Sequence, residues 1–355
     1  MPRPLKATIS LAALRHNLAV VRRHAPRAAV FAVIKANAYG HGLMRAAHAL
    51  VGAEGYALLE LDAAVVLREA GYRQRIALLE GAFGPPDLAV AAEYRLAIAV
   101  HNREQVDMLE AAPAGARFDV LLKIDTGMNR LGFTPAEFAA VFGRLHGHPR
   151  VARLTLMTHF ANADDARGVA WQMERLERLA AGGGLPRCLA NSAAILRYPE
   201  THAAWVRPGV MLYGCSPFAD VPADTLGLQP VMTLASELIA VRELQPGDRI
   251  GYGGAFEAAR PMRVGVVACG YADGYPRHAP TGTPVLVGGQ RTRTLGRVSM
   301  DMLCADLSTI PAARVGTPVT LWGAGLSADE VAAAAGTVSY ELLCALAPRV
   351  PVTEV

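Results

Sequence analysis

The sequence is poor in several features that mark whole classes of protein. Charged residues make up only 19% of its 355 residues, while hydrophobic residues make up 52%. That balance excludes an intrinsically disordered chain, which could not bury enough apolar surface. Basic residues number 35 against 31 acidic ones, a net charge of +4, and no run of five basic residues occurs. Nucleic acid is therefore not expected as a partner, whereas a small anionic ligand would need only one or two of these charges.

Cysteine is scarce, and long apolar runs are missing. The five cysteines are an odd number, widely spaced, and they form no CxxC motif or Cys/His cluster. Neither a disulfide framework nor a metal site is therefore expected. No apolar stretch reaches the length that spans a bilayer, and the first residues, MPRPLKATIS, lack the apolar core of a signal peptide. We expect a cytoplasmic protein with no membrane partner.

The first two thirds of the chain alternate between strand-like and helix-like segments. Ser10 is a predicted N-cap for a helix over 11–24, and segments of helical period separate the apolar runs that follow. Eight strands, each followed by a helix or turn, are the count of a (β/α)₈ (TIM) barrel. An open doubly wound sheet is the competing interpretation, but no Gly-rich dinucleotide motif follows the first strand. The predicted strands are 28–35, 55–61, 76–80, 96–100, 118–125, 153–159, 187–191 and 208–213.

The pattern changes near residue 230. Short β-rich runs separated by glycine and proline replace the alternation, and helical period returns only in SADEVAAAAG and SYELLCAL. Both the length and this change favour two domains. We therefore predict an α/β protein with a (β/α)₈ barrel over 1–230 and a mostly-β domain over 231–355.

Polar residues follow several of the predicted barrel strands. Functional residues of such barrels lie at the carboxyl ends of the strands, so these side chains should converge on one rim. Lys35 ends the apolar run AVFAVI. Partial desolvation there would make its amine available as a nucleophile for Schiff-base chemistry. The structural alternative is a lysine that only extends its chain to the rim.

Three further rim residues allow a structural and a functional interpretation. Arg207 could form a structural ion pair, and His159 could be a core histidine with satisfied hydrogen bonds. Arg130, in the loop KIDTGMNRLG, has the fork geometry that binds a carboxylate through two hydrogen bonds. A loop arginine that is merely solvated is the alternative.

Eight segments together identify a family. AVIKANAYGHG at 32–42 closely resembles the pyridoxal-phosphate attachment segment of the alanine racemase family. The resemblance continues, in the expected order and up to residue 343, through LKIDTGMNRLG, THFANAD, NSAA, RPGVMLYG, VACGYADGYPR, GRVSMDM and SYELL. It implies an N-terminal barrel, a C-terminal β domain, pyridoxal 5′-phosphate as cofactor, and interconversion of L- and D-alanine.

The resemblance also implies two bases from two subunits. Lys35 would bind the cofactor covalently and act as one base at the substrate Cα, and Tyr271 of the partner subunit would be the other. Racemisation removes a proton on one face and delivers it on the opposite face, which two such residues can do. His159 would be the hydrogen-bond partner of that tyrosine, with Arg207 behind the histidine. The protein would be a homodimer with shared active sites.

Further roles follow from the resemblance for the cofactor and the substrate. Arg207 would contact the pyridine nitrogen and keep it unprotonated, which disfavours transamination. Arg130 would bind the substrate carboxylate near Met300 of the partner subunit. Lys123 matches a lysine that is often carbamylated in this family, and the resulting anion would orient Arg130. The phosphate would be held by Tyr39, Ser192, the Gly209 backbone and Tyr340.

Other functions stay open from the sequence. A racemase for serine or for a broader set of amino acids is a related alternative, because the side-chain pocket cannot be read from the sequence. A non-catalytic, cofactor-carrying barrel protein would lack the second domain with Tyr271 and Met300. A Schiff-base aldolase without the cofactor conflicts with the full set of motifs. Biosynthetic and catabolic roles of D-alanine, in peptidoglycan or in alanine breakdown, are not separated.

Overall fold

The N-terminal part of the chain forms a closed barrel of eight parallel strands. The computed structural model describes residues 3–180 and 184–355. Each barrel strand pairs with the next in sequence, and the last pairs with the first, so the predicted (β/α)₈ barrel is confirmed. Strand β1 (Lys6–Ile9) lies in a second sheet, and the barrel strands are β2 (Ala29–Val33), β3 (Gly55–Leu58), β4 (Arg75–Leu78), β5 (Ala97–Val100), β6 (Phe118–Lys123), β7 (Val151–Met157), β8 (Arg187–Cys188) and β9 (Trp205–Val206).

Helices connect the barrel strands. The first one begins where the sequence predicts, because the Ser10 hydroxyl accepts a hydrogen bond from the Ala13 amide at 3.2 Å. Strands β3 and β5 are buried at every position, as expected of a parallel sheet covered on both faces. The helices of this part are Leu11–His24, Leu43–Ala49, Leu61–Glu69, Pro85–Glu93, Arg103–Glu110, Phe138–Leu145, Ala170–Ala180 and Ser192–Arg197, with 3-10 turns at Pro199–Thr201, Val210–Tyr213 and Asp224–Leu226.

The last barrel strand lies earlier than predicted. The sequence predicted a strand over 208–213, which is wrong: β9 is Trp205–Val206, and Val210–Tyr213 is a 3-10 turn. Pro208 has no N–H to donate to a strand ladder, and the Gly209 amide donates to a side chain, the Ser192 hydroxyl, at 2.9 Å. Arg207 therefore follows the final strand and lies at its carboxyl end.

The C-terminal part is mostly β, as predicted. Its strands are β10 (Met232–Leu244), β11 (Arg249–Ile250), β12 (Phe256–Glu257), β13 (Met262–Val267), β14 (Pro284–Val287), β15 (Gln290–Leu295), β16 (Leu303–Asp306), β17 (Pro318–Trp322) and β18 (Val352–Glu354). The eight-stranded sheet has the order β13-β16-β15-β14-β17-β10-β1-β18, and β11 pairs with β12 separately. Strand β1 joins this sheet by antiparallel pairing with β10 and parallel pairing with β18, although the sequence predicts no strand before residue 28.

Helical segments of this part are short. The helices Ala328–Ala335 and Ser339–Cys344 are those that the periodicity predicted, and 3-10 turns occur at Tyr252–Gly254 and Tyr271–Asp273. Within the described residues, no helix is long and apolar enough to cross a membrane.

The chain divides into two compact units. One, the barrel unit, comprises residues 17–38 and the described part of 42–212; the other, the sheet unit, comprises 3–16, 39–41 and 213–355. The sheet unit thus includes the first strand and three residues of the segment that follows Lys35. The predicted domain boundary at residue 230 stays a prediction.

Candidate active site

Lys35 stands at the start of an unusual backbone turn beyond the end of β2. The four residues after it, 36–39, have φ between 51° and 54°. Residues other than glycine rarely adopt this left-handed conformation, which costs about 1–2 kcal/mol per residue. The turn is held by hydrogen bonds from the Ala38 amide to the Ile34 carbonyl, 3.0 Å, and from the Leu43 amide to Asn37 Oδ1, 2.8 Å. Backbone strain of this kind is typical of functional sites.

Arg207 is buried and held by carbonyl groups. Its guanidinium donates to the carbonyls of Cys188 at 2.5 Å, Thr158 at 2.7 Å and Leu189 at 3.1 Å, and one nitrogen lies 3.4 Å from His159 Nδ1. Within the described part of the chain it forms no ion pair with a carboxylate, so the structural ion pair considered for it is not found there. The site therefore contains a fixed cation.

His159, after β7, is electrostatically crowded. Burial and then the positive charges of Arg207, Arg130, Lys123 and Lys35 hold the pKa of its imidazole well below the usual value. The ring is therefore neutral at pH 7. Because Nδ1 faces the Arg207 guanidinium, which can only donate, the ring proton belongs on Nε2. His159 thus offers an N–H donor from Nε2.

Lys123, the last residue of β6, is buried beside the same charges. Burial and the charges of Arg207 and Arg130 lower the pKa of its amine to about 8, so a fraction is uncharged near neutral pH. Arg130 is exposed and, among the described residues, forms no hydrogen bond or ion pair. A pocket is lined by Lys123, Ile124, Asp125, Met128, Arg130, Leu131, Thr158 and His159.

The loop that carries Arg130 folds back on its own strand. Asp125 Oδ1 accepts from the amides of Gly127 at 2.8 Å and Asn129 at 3.1 Å, so this carboxylate shapes the loop. Gly132 has φ of 127°, and a Cβ there would lie 2.6 Å from the Asp125 nitrogen. Only glycine permits this approach. The loop geometry therefore presents Arg130 at the pocket.

The residues predicted to hold phosphate are divided between the two units. In the barrel unit, the Ser192 hydroxyl accepts from the amides of Gly209 at 2.9 Å and Met211 at 3.5 Å, which leaves its own proton to donate. In the sheet unit, the Tyr39 ring lies 5.9 Å from the Tyr340 ring. Burial raises the pKa of the Tyr39 phenol well above its ordinary value. Tyr39 is therefore a neutral donor.

Tyr271 and Met300 lie together on the surface of the sheet unit. The Tyr271 amide donates to the Ser299 carbonyl at 3.0 Å, and the Ala272 amide donates to the Met300 carbonyl at 2.9 Å. Tyr271 and Met300 are 38% and 53% exposed, and Met302 beside them is 44% exposed. An exposed cluster of large apolar side chains is typical of an interaction surface.

Family models match almost the whole chain. The alanine racemase N-terminal domain matches residues 9–217, and the alanine racemase C-terminal domain matches residues 231–354. The chain belongs to the alanine racemase family. The family assignment made from the eight sequence segments is therefore confirmed.

Individual relatives agree along their full length. An alanine racemase of Nitrosospira multiformis is 62% identical over 352 residues, which cover 98% of this chain and 99% of that protein. The biosynthetic alanine racemase of Pseudomonas aeruginosa has a crystal structure that is 50% identical and aligns over 99% of both chains with a TM-score of 0.96. A Bacillus anthracis alanine racemase with bound L-Ala-P is 31% identical, with a TM-score of 0.85 over 100% of this chain and 96% of that one.

Alanine racemases are isomerases that depend on pyridoxal 5′-phosphate, and the barrel rim has groups that fit this cofactor. Lys35 has an amine for the aldehyde and forms no hydrogen bond or ion pair within residues 3–180 and 184–355. Arg207 supplies a fixed cation, and Ser192 supplies a hydroxyl donor. The chemistry of this donor set therefore fits the cofactor.

Sequence reasoning missed part of the rim. Gln172, Thr126 and Thr158 are fully or almost fully buried and hydrogen-bonded to one another beneath the loops of Arg130 and His159. A glutamine on an amphipathic helix carries no signal of burial in a single sequence. The scarcity of lysine is a further sequence signal for the site: the chain has only three lysines, and two of them are Lys35 and Lys123.

Proposed function

We propose that this chain is an alanine racemase that interconverts L- and D-alanine with pyridoxal 5′-phosphate bound to Lys35. The observation that carries the proposal is the position of Lys35. Lys35 follows a buried strand and precedes a left-handed turn of four residues, and its positive charge is one of those that lower the pKa of His159. Membership of the family supports the same reaction.

Proton transfer would use residues from two subunits. When bound, the cofactor supplies an electron sink that makes the substrate Cα proton removable. Lys35 would take or return the proton on one face, and Tyr271 of the partner subunit would return or take it on the other. The neutral His159 supports this role, because its Nε2–H can hydrogen-bond the phenol oxygen as that oxygen gains charge.

Arg207 would face the pyridine nitrogen of the cofactor. A guanidinium stays protonated at any physiological pH, so the ring nitrogen beside it would accept a hydrogen bond and remain unprotonated. A weaker electron sink favours return of the proton to Cα over transamination. The four carbonyl and imidazole contacts of Arg207 support this role, since they fix the guanidinium without neutralising it.

The phosphate and the substrate would meet different kinds of donor. We propose Tyr39, Ser192, the Gly209 backbone and Tyr340 for the phosphate, a largely neutral set. Arg130 would bind the alanine carboxylate through two hydrogen bonds, beside Met300 of the partner subunit. Its exposure and its lack of an acidic partner among the described residues support this role.

Lys123 would be carbamylated. Its neutral amine would attack carbon dioxide, so that an N–C bond forms, one C–O π bond breaks and one proton is released, which leaves a carbamate whose negative charge lies on its two oxygens. The lowered pKa of about 8 supports this reaction, since only the neutral amine is nucleophilic. The anion would compensate Arg130 and Arg207 and would orient Arg130.

The assembly would be a cytoplasmic homodimer in which a domain over 231–355 completes the partner's barrel over 1–230. The exposed cluster of Tyr271, Met300 and Met302 supports such an interface. Mixed dimers of Lys35→Ala and Tyr271→Ala chains test it, because each contains one site with both bases intact. After random exchange half of the dimers are mixed, so activity should return to about a quarter of wild type. No recovery after demonstrated exchange contradicts shared sites.

A biosynthetic role, the supply of D-alanine for peptidoglycan, is the physiological proposal. The Pseudomonas aeruginosa relative described as biosynthetic is 50% identical and supports it. Catabolism of alanine is the alternative. Loss of the protein should make growth depend on D-alanine in the first case and impair growth on alanine in the second.

The reaction and the cofactor site can be tested together. Incubation with L-alanine should yield equal amounts of both enantiomers by chiral chromatography, with much slower turnover of serine. Borohydride should abolish the visible absorbance of the bound cofactor and attach its mass to one peptide. With three lysines in the chain, the attachment site is unambiguous. Attachment at Lys6 or Lys123, or no turnover of alanine, contradicts the proposal.

A further inference from the structure

Gln172 joins two loops of the barrel rim from beneath. Its side chain lies in the helix Ala170–Ala180 and is 0% exposed. Oε1 accepts from the Ala161 amide at 2.7 Å, and Nε2 donates to Thr126 Oγ1 at 2.8 Å and to the His159 carbonyl at 3.1 Å. The amide thus uses both of its donors and its acceptor.

The hydrogen bonds continue beyond Gln172 in one direction. Thr158 Oγ1 donates to the Ile124 carbonyl at 2.9 Å, so it accepts from Thr126 Oγ1 at 2.8 Å. Thr126 in turn accepts from Gln172. Each hydroxyl therefore has one donor and one acceptor, and reversing any member breaks the next bond. Buried networks of this kind hold their members rigidly when every group is satisfied.

The two joined loops carry different parts of the proposed site. The loop after β6 contains Thr126 and leads to Arg130, and the loop after β7 contains Thr158, His159 and Ala161. Arg207 binds the Thr158 carbonyl at 2.7 Å. Gln172 donates to the next carbonyl along the chain, that of His159, at 3.1 Å. The main chain at this histidine is therefore held by two side chains, Arg207 and Gln172.

The helix of Gln172 also presses on the Arg130 loop directly. The Trp171 ring lies so close to Gly127 that a Cβ there would approach it to 2.2 Å. Arg175, on the same helix, donates to the Thr126 carbonyl at 3.2 Å. The helix therefore supports this loop through packing and through two hydrogen bonds.

We infer that Gln172 is a positioning residue that sets the placement of Arg130 relative to His159. The inference rests on the proposed function, in which Arg130 binds the substrate carboxylate and His159 supports the base on the opposite face. The substrate carboxylate on Arg130 and the base that His159 supports must be in place at the same time, and a misplacement of about 1 Å can cost about a hundredfold in rate. In the proposed function Gln172 contacts neither substrate nor cofactor, and it acts only through the two loops.

The chain contains a matched control for this residue. Gln105 lies in the helix Arg103–Glu110 and is 6% exposed. Its amide donates to the carbonyls of Glu80 at 2.9 Å and Ala82 at 3.2 Å and accepts from the His101 amide at 2.9 Å. It thus joins the loops after β4 and β5 in the same manner, but those loops carry no residue of the proposed site.

The experiment compares Gln172→Met with Gln105→Met in the intact, cofactor-loaded protein. Each substitution removes the hydrogen bonds of a buried amide to two loops, so both should lower the melting temperature to a similar extent. Gln172→Met alone should lower kcat/KM for alanine by about tenfold to a hundredfold in both directions. It should also weaken the binding of propionate, a carboxylate without an amine, by about tenfold in calorimetry. Gln105→Met should change neither quantity.

A second variant covers the case in which Gln172→Met does not fold. Thr126→Val removes the hydroxyl that links Gln172 to Thr158 and keeps the shape of the side chain. It should change kcat/KM and propionate binding in the same direction. Variants that melt earlier but keep wild-type kinetics and propionate binding overturn the inference. A wild-type protein that binds propionate but does not racemise alanine overturns the proposed function instead, and the propionate comparison still tests Gln172.

Discussion

The two ends of the barrel each contain a largely buried arginine, in opposite electrostatic settings. At the amino end Arg75 forms an ion pair with Asp119, and its guanidinium lies over the rings of Phe31 at 5.2 Å and Trp205 at 5.0 Å. These groups come from four different strands, so the arginine spans the barrel interior. At the carboxyl end Arg207 meets carbonyls and other cations. One arginine is neutralised, and the other is not.

This difference suggests separate roles for the two ends of the barrel: the amino end stabilises the fold, and the carboxyl end carries the chemistry. At the amino end each buried charge has its partner within the protein, so removal of one partner alone would leave an unpaired charge and destabilise the fold. At the carboxyl end, burial and then the neighbouring cations lower the pKa values of Lys123 and His159. The positive charges there repel one another unless an anion binds among them. Perturbed pKa values of this kind are typical of active sites. The carboxyl end is also where barrel enzymes act.

The largest expected effect on activity is at the carboxyl end. Lys35→Ala should reduce racemisation by at least about a thousandfold, because it would remove both the proposed cofactor attachment and one of the two proposed bases. Compared with wild type when both proteins are free of cofactor, its melting temperature should stay the same or rise, since one cation leaves the cluster around His159. Chiral chromatography and calorimetry measure the two effects. Lys6→Ala, at an exposed lysine of β1, is the control and should keep full activity.

The largest expected effect on stability is at the amino end. Asp119→Asn should lower the free energy of unfolding by about 3 kcal/mol, because it leaves the Arg75 charge without its partner in a site that is only 12% exposed. Urea unfolding measures this loss, while kcat should not change. Glu177→Gln, at the more exposed pair with Arg187, should cost less than about 1 kcal/mol. A large loss of kcat in Asp119→Asn would break the division between the two ends.

The sequence was sufficient to predict the elements that hydrophobic period defines. The helix Leu11–His24 and the order of strands and helices follow from local pattern, and the site residues follow from segments shared with a family. The first strand was not predicted, because KATI is only four residues long and pairs with strands more than two hundred residues away. The apolar run GVMLYG resembled a strand, but Pro208 before it cannot extend a ladder.

Tertiary structure determined what local pattern did not. KANAY contains helix-forming residues, yet residues 36–39 are left-handed, a conformation that only the surrounding structure can impose. Gln172 occupies a position that a polar helix surface would also accept. The scarcity of lysine among 35 basic residues was informative, since an amine and a guanidinium are not interchangeable in Schiff-base chemistry. It marked both Lys35 and Lys123.

The state of Lys123 determines whether the positive charges at the carboxyl end of the barrel are compensated by an anion. A pKa of about 8 against 10.5 in the unfolded chain costs the folded state roughly 3 kcal/mol at pH 7. Lys123→Met should therefore be more stable than wild type after dialysis against buffer free of carbon dioxide. In bicarbonate the wild type should gain stability as the carbamate forms, and the advantage of Lys123→Met should disappear. A difference between the two proteins that is independent of bicarbonate contradicts carbamylation, and intact mass gives a separate measurement.

The smallest expected effect concerns the pH dependence of stability at the carboxyl end. Because the pKa of folded His159 lies well below its unfolded value of 6.5, the unfolded chain takes up the proton first as the pH falls. Stability is therefore lost below pH 6.5, by on the order of 1 kcal/mol at pH 5.5. The free energy of unfolding of wild type relative to His159→Asn, measured in urea at pH 7.5 and 5.5, should fall by this amount. In an Arg207→Met background the fall should be smaller, because the charge that contributes most after burial has been removed. An equal fall with and without Arg207 would mean that burial and the remaining cations are enough to keep His159 neutral at pH 5.5, and Arg207 would then not be needed for the low pKa of this residue.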